Sequence, residues 1–132
     1  MAKILDNQFE ILFRQIHPQF IQNGEPASDR FKPQPNDAGM MSVDRSSITN
    51  AASSHALYTR SGKLSGAVFG VTVGEFQDEQ IECHADPITE TEDISANAAH
   101  ALADYTRHEE KEWKLISKRL TRKAKTRGKL FP

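Results

Sequence analysis

The stretch GAVFGVTV, residues 66–73, has the clearest strand pattern in this chain of 132 residues. Its Val and Phe side chains favour extended backbone, and the absence of any charge indicates burial on both faces. Further short apolar runs surround it and end at turn residues: EILFRQI at 10–16, MMSV at 40–43, QIECH at 80–84 and HALADY at 100–105. These runs predict the strands of a small, mostly antiparallel sheet.

The first predicted helix lies before the strand at 66–73. Thr49 or Asn50 can cap it, its interior AASSHALYTR is rich in Ala, and Gly62 stands where a left-handed C-terminal residue belongs. A short helical turn is expected at 74–77. Between residues 17 and 39, four prolines exclude a long helix and favour turns around one short extended piece, RFKP.

The last predicted helix is amphipathic and strongly basic. The segment 106–109, TRHE, has the form of a capping box, so the helix is predicted to begin at Arg107 and to end near Gly128. Apolar side chains recur at three- and four-residue steps and form one stripe: Trp113, Ile116, Leu120 and Ala124. Strands and helices that mix irregularly, without βαβ repeats, indicate an α+β fold.

Length and composition are those of one globular domain, with 37% hydrophobic and 27% charged residues. No apolar run is long enough to predict a membrane span. The first residues, MAKILDNQFE, meet acidic side chains before a signal-peptide core could form, so a cytoplasmic location is expected. The single cysteine, Cys83, excludes an internal disulfide and is interpreted as a small buried strand residue in preference to a nucleophile.

The net charge of −1 conceals a strong asymmetry along the chain. Residues 111–129 hold nine of the 17 Lys and Arg residues and only one of the 18 Asp and Glu residues. The rest of the chain therefore carries eight basic and 17 acidic side chains. We divide the predicted single domain, 1–132, into an acidic α+β body (1–105) and a basic C-terminal helix and tail (106–132).

The basic helix is the leading candidate for a binding surface. Four basic residues lie away from the apolar stripe at one-turn spacing, Lys114, Lys118, Arg122 and Lys125, and together with Arg119 they are the candidate binding residues. Such a ridge can follow phosphates and release their counterions. The pattern predicts a small bacterial- or phage-type interaction module that binds nucleic acid or an acidic protein surface without a cofactor. The same charges also suit a solvated helix that offsets the acidic body.

Signals for metal binding and for the common enzyme classes are weak. His84 and Asp86 could present two ligands from one strand face, but a metal site needs further ligands that no motif in the sequence brings to them, so no metal is expected. The motifs G-x-S-x-G, H-E-x-x-H, the P-loop and G-x-G-x-x-G do not occur.

Arg14 is unusual because it lies inside the apolar run at 10–16. Either it points to solvent from an alternating strand, or it faces a cleft and binds an anion. Ser42 on the second long strand and Glu75 after the hydrophobic strand follow it in the chain. Glu75 also reads simply as an early residue of a helical turn, where the helix dipole favours a carboxylate.

The order of Arg14, Ser42 and Glu75 resembles the ADP-ribosyltransferase superfamily, in particular its compact bacterial RES-type members, over roughly the first 80 residues. The resemblance implies an NAD-using enzyme in which Arg14 binds the dinucleotide, Ser42 takes the second-strand role and Glu75 supplies the late carboxylate. The chain departs from the family pattern because it has no E-x-E or Q-x-E motif and no Tyr after the second strand.

Overall fold

The computed structural model describes residues 3–132. In chain order its elements are β1 (Ile11–Ile16), a 3₁₀ turn (Pro18–Phe20), β2 (Ile21–Gln22), β3 (Glu25–Pro26), β4 (Met40–Arg45), α1 (Ala51–Arg60), β5 (Ala67–Thr72), α2 (Val73–Asp78), β6 (Glu82–Ala85), β7 (His100–Asp104) and α3 (Glu110–Arg127). Five strands form an antiparallel sheet in the order β5-β1-β4-β7-β6, and β2 pairs with β3 in a small second sheet. The predicted α+β fold is confirmed.

Strand β5 lies at one edge of the sheet, and it is buried along almost its whole length, as its uncharged sequence predicts. Its side chains alternate between the two faces of the sheet. Phe69 and Val71 join the core on the α3 side, whereas Val68 is also fully buried but lies on the opposite face. The predicted burial of Cys83 is confirmed as well, and this burial raises the pKa of its thiol to about 12.

Helix α3 packs its predicted apolar stripe against the sheet. Ile116, Leu120 and Ala124 are buried in the core, and Trp113 packs at its edge. Two polar side chains that the stripe did not include, Ser117 and Thr121, are buried on the same face. No helix within residues 3–132 is long and apolar enough to cross a membrane.

The predicted capping box at 106–109 is wrong. The Thr106 hydroxyl donates to Asp104 Oδ1 at 2.5 Å instead of accepting from a helical N–H. Helix α3 begins three residues later than predicted, and its capping box is formed by Glu109 at the N-cap and Glu112. The carboxylate of Glu112 accepts from the N–H of Glu109 at 3.1 Å.

The proline-rich segment holds one tight hairpin. Asn23 and Gly24 connect β2 to β3, and both have positive φ angles, 53° and 78°, as a two-residue hairpin turn requires. The predicted extended piece RFKP does not join a sheet. Its Phe31 N–H donates to the buried Ser117 hydroxyl at 2.9 Å, so this backbone is held by helix α3 and not by a neighbouring strand.

Both edges of the five-stranded sheet are covered by other parts of the chain. At the β6 edge, the Leu5 N–H donates to the Cys83 carbonyl and the Ala85 N–H donates to the Lys3 carbonyl. At the β5 edge, Val68 exchanges backbone hydrogen bonds with Leu130 and Phe131, which follow α3. Residues 3–5 and 130–131 therefore act as short flanking strands.

Candidate functional site

Arg14 projects from the core face of the sheet and is partly buried. Because side chains alternate along β1, Arg14 shares the core face with Leu12 and Ile16, both fully buried. Its Nε donates to the carbonyl of Arg30 at 3.2 Å, and its NH1 donates to the carbonyl of Ser42 at 3.0 Å. Burial lowers the pKa of Arg14, although a guanidinium stays protonated in proteins.

Glu75 has two structural partners. Its carboxylate closes the capping box of α2 by accepting from the Thr72 N–H at 2.9 Å, and it forms an ion pair with Arg127 at 3.0 Å. Burial acts to raise the pKa of Glu75, but hydrogen bonds from Arg127 and Thr72 outweigh burial and lower it.

The three residues implied by the family resemblance do not converge through their side chains. Register places Ser42 on the face of the sheet opposite to the Arg14 side chain, so Arg14 reaches only the backbone carbonyl of Ser42. Glu75 lies beyond the end of β5 and contacts Arg127. The use of NAD therefore stays a prediction from the resemblance.

The predicted basic residues of α3 are all exposed, and they divide into two groups. Arg119 binds Glu79 through three contacts of 2.7–3.0 Å, and Lys125 lies 3.8 Å from Glu25. Among the described residues 3–132, Lys114, Lys118 and Arg122 form no ion pair, and we name these three the basic face.

The opposite face of the sheet carries a chain of polar side chains from three adjacent strands. Ser42 on β4 is exposed, and its Oγ lies 3.1 Å from His100 Nε2 on β7. The other ring nitrogen, Nδ1, lies 3.1 Å from the carboxylate of Asp86, which follows β6, and 2.9 Å from the Asp86 carbonyl. A serine, a histidine and an aspartate are thus connected in that order.

This polar chain was only partly visible in the sequence. In the sequence, Ser42 stands out only through the family resemblance, and Asp86 pairs with His84 as a weak set of two metal ligands. The structure pairs Asp86 with His100 instead. Residues 42 and 100 are far apart in the sequence, and only the strand order β4-β7-β6 makes them neighbours. No group of three or more His, Cys, Asp or Glu residues within 3–132 is arranged to bind a metal ion.

Comparisons of the chain with protein-family models, with curated proteins and with solved structures find no match. The protein therefore has two candidate functional surfaces, the basic face of α3 and the polar side chains on the opposite face of the sheet.

Proposed function

We propose that the protein binds nucleic acid through the basic face of α3, independently of base sequence. The observation that supports this proposal is the alignment of three exposed cations without carboxylate partners. Lys114, Lys118 and Arg122 succeed one another every four residues, a rise of about 6 Å per step. Among the other basic side chains that follow Lys118 on α3, Arg119, Lys125 and Arg127 are paired with Glu79, Glu25 and Glu75, whereas Lys123 is exposed and adds a fourth cation without an ion pair among the described residues 3–132.

The composition of the surface favours nucleic acid over an acidic protein as the partner. Protein interfaces depend on buried aromatic or aliphatic anchors. The exposed side of α3 presents one large apolar side chain, Leu115, which is 59% exposed. A row of cations with a single aliphatic neighbour suits contacts to phosphates, which fix the position of a protein without reading bases.

The acidic body would orient the bound molecule. Outside residues 111–129 the chain carries 17 acidic and eight basic side chains. A polyanion is therefore repelled by most of the surface and attracted by one side of α3.

The test is fluorescence polarisation with labelled single- and double-stranded oligonucleotides over a series of salt concentrations. We expect binding that weakens steeply with salt and differs little between base sequences. Changing Lys114, Lys118 and Arg122 together to Gln should lower the slope of log K against log salt by about 2 to 3, because each lost phosphate contact removes about 0.7 to 0.9 of a counterion.

A charge-matched control changes three exposed cations outside α3, Arg60, Lys63 and Arg107, to Gln. This control should keep the full slope. Absence of oligonucleotide binding at low salt, or an equal loss in the control, would overturn the proposal. Binding of poly-glutamate without binding of oligonucleotides would overturn it in favour of an acidic protein partner.

A further inference from the structure

The exposed hydroxyl of Ser42 has the surroundings of an activated nucleophile. Ser42 lies on β4, His100 on the adjacent β7 and Asp86 just after β6, and the order of contacts is hydroxyl, imidazole, carboxylate. Helix α1 packs on the other half of this face, over β1 and β5. Ser42 remains exposed, and Leu102 opposite it is partly exposed.

The hydrogen-bond partners of His100 determine which ring nitrogen carries the proton. Its Nδ1 faces two oxygens of Asp86, the backbone carbonyl at 2.9 Å and the carboxylate at 3.1 Å. Both oxygens only accept hydrogen bonds, so Nδ1 must donate. Nε2 of the neutral ring then presents its lone pair to the Ser42 hydroxyl at 3.1 Å, and the hydroxyl donates. This is the tautomer that a general base requires.

We propose that Ser42 is the nucleophile of an ester-hydrolysing site in which His100 is the general base and Asp86 a positioning residue. Ser42 Oγ forms a bond to the acyl carbon while its proton passes to His100 Nε2. The bond between that carbon and the alcohol oxygen breaks, and the departing alcohol takes the proton from Nε2. A water molecule then attacks the acyl carbon while its proton passes to His100 Nε2. The bond from that carbon to Ser42 Oγ breaks, Oγ takes the proton from Nε2, and the carboxylic acid is released.

The charges around Ser42 indicate the class of ester. Glu82 and Asp104 are directly paired on β6 and β7 and share the face of the sheet with Ser42. These carboxylates disfavour an anionic substrate such as a phosphate monoester. The apolar side chain of Leu102 directly opposite Ser42 offers a surface for an acyl group. The substrate class is therefore a neutral or cationic carboxylic ester.

The first experiment labels the protein with a fluorophosphonate, whose phosphorus is attacked by an activated serine with loss of fluoride. The intact mass of the protein should increase by the mass of one attached phosphonyl group. Peptide mapping should place this group on Ser42. Labelling should disappear in Ser42→Ala and persist in Ser61→Ala, which removes another exposed serine whose hydroxyl bonds to the Tyr58 carbonyl. Circular dichroism verifies that each variant is folded.

Histidine variants test the role of the base. His100→Gln should slow labelling and p-nitrophenyl acetate hydrolysis by about 10²- to 10⁴-fold, the usual contribution of a general base. The matched variant His84→Gln alters a histidine on the same face of the neighbouring strand and should change neither rate. p-Nitrophenyl phosphate should not be hydrolysed.

Asp86→Asn tests positioning by a spectroscopic readout. Nitrogen-15 NMR of His100 should show the Nδ1–H tautomer in the unmodified protein and a shift toward Nε2–H in Asp86→Asn, with slower labelling. The loss should be smaller than the roughly 10⁴-fold known for such a change in a triad, because the Asp86 carbonyl also accepts from Nδ1. No labelling of the unmodified protein, labelling that survives in Ser42→Ala, or equal losses in His84→Gln and His100→Gln would overturn the proposal.

Discussion

At the scale of single residues, the charged side chain of Arg14 has a structural role, because it donates hydrogen bonds to backbone carbonyls. Strands β1 and β4 are paired only at Leu12 with Arg45 and at Phe13 with Asp44. Where this pairing stops, the Arg14 guanidinium donates to the carbonyls of Arg30 and Ser42. A side chain thus satisfies backbone acceptors that a neighbouring strand would otherwise satisfy.

Arg14→Met should destabilise the protein by about 2 to 4 kcal/mol, because two backbone carbonyls lose charged donors. Urea unfolding, with the slope of the transition compared between variants, measures this change. Arg107→Met, which alters an exposed arginine, should stay within about 0.5 kcal/mol. An equally small effect of Arg14→Met would contradict the structural role.

Glu10 is a buried carboxylate, and it predicts a pH dependence of stability. Burial acts to raise the pKa of Glu10, but hydrogen bonds from Ser47 and Arg45 outweigh it and lower the pKa below 4.5. A carboxyl group with a lowered folded-state pKa contributes stability above its unfolded pKa. That contribution disappears as the pH falls through the folded pKa.

We therefore expect the free energy of unfolding to fall as the pH drops below about 4.5, and to fall less steeply in Glu10→Gln. At neutral pH, Glu10→Gln should cost about 3 kcal/mol, because it leaves Arg45 without its carboxylate. Glu92→Gln alters an exposed glutamate and should retain the steep decline. Chemical denaturation at several pH values makes the comparison, and parallel curves for Glu10→Gln and unmodified protein would refute it.

At the scale of secondary-structure elements, helix α3 is fixed to the body by polar contacts as well as by its apolar stripe. The Ser117 hydroxyl is fully buried, accepts from the Phe31 N–H at 2.9 Å and donates to the Ser28 carbonyl at 2.7 Å. In the irregular segment between β3 and β4, the Phe31 N–H and the Ser28 carbonyl are therefore hydrogen-bonded to helix α3.

Ser117→Ala should destabilise the protein by about 2 kcal/mol, because it leaves a buried N–H and a carbonyl without that partner. Thr126→Ala, on the exposed side of the same helix, should cost much less, since its hydroxyl bonds only to the Arg122 carbonyl. Thermal or urea unfolding of both variants provides the comparison. A similar cost for the two would show that the Ser117 contacts are unimportant.

The sequence predicts these elements well where periodicity decides and poorly where side chains compete. The apolar stripe of α3 and the uncharged run of β5 carry their own pattern, and both predictions are confirmed. The prediction of a capping box at 106–109 is wrong because the Thr106 hydroxyl donates its hydrogen bond to Asp104, two residues earlier in the chain. The contact between Ser42 and His100 could not be predicted, because it depends on strand order, which no local pattern specifies.

At the scale of the whole molecule, the separation of charge raises the question of what holds α3 in place. Three ion pairs link it to the body, through Glu25, Glu75 and Glu79. The side chains of their basic partners are 24–51% exposed to solvent: Arg119, Lys125 and Arg127. Partly exposed pairs of this kind contribute little, about 0 to 1 kcal/mol each, and salt screens them.

We expect the free energy of unfolding to change by no more than about 1 to 2 kcal/mol between low salt and 1 M sodium chloride, because the buried stripe of α3 does not depend on charge. Oligonucleotide binding should disappear over the same range if the basic face contacts phosphates. Unfolding and polarisation measurements on the same samples separate the two effects. A loss of several kcal/mol of stability would instead show that charge attraction holds α3 to the body.

The two flanking segments of the sheet have a consequence for how the protein behaves in a crowded solution. Free strand edges are templates for adding foreign strands, and so for fibril growth or the capture of extended peptides. Residues 3–5 and 130–131 occupy the N–H and carbonyl groups of β6 and β5 through which such growth would start. These hydrogen bonds shorten the free edges of the five-stranded sheet, which lowers the tendency of foreign strands or further copies of the chain to add there.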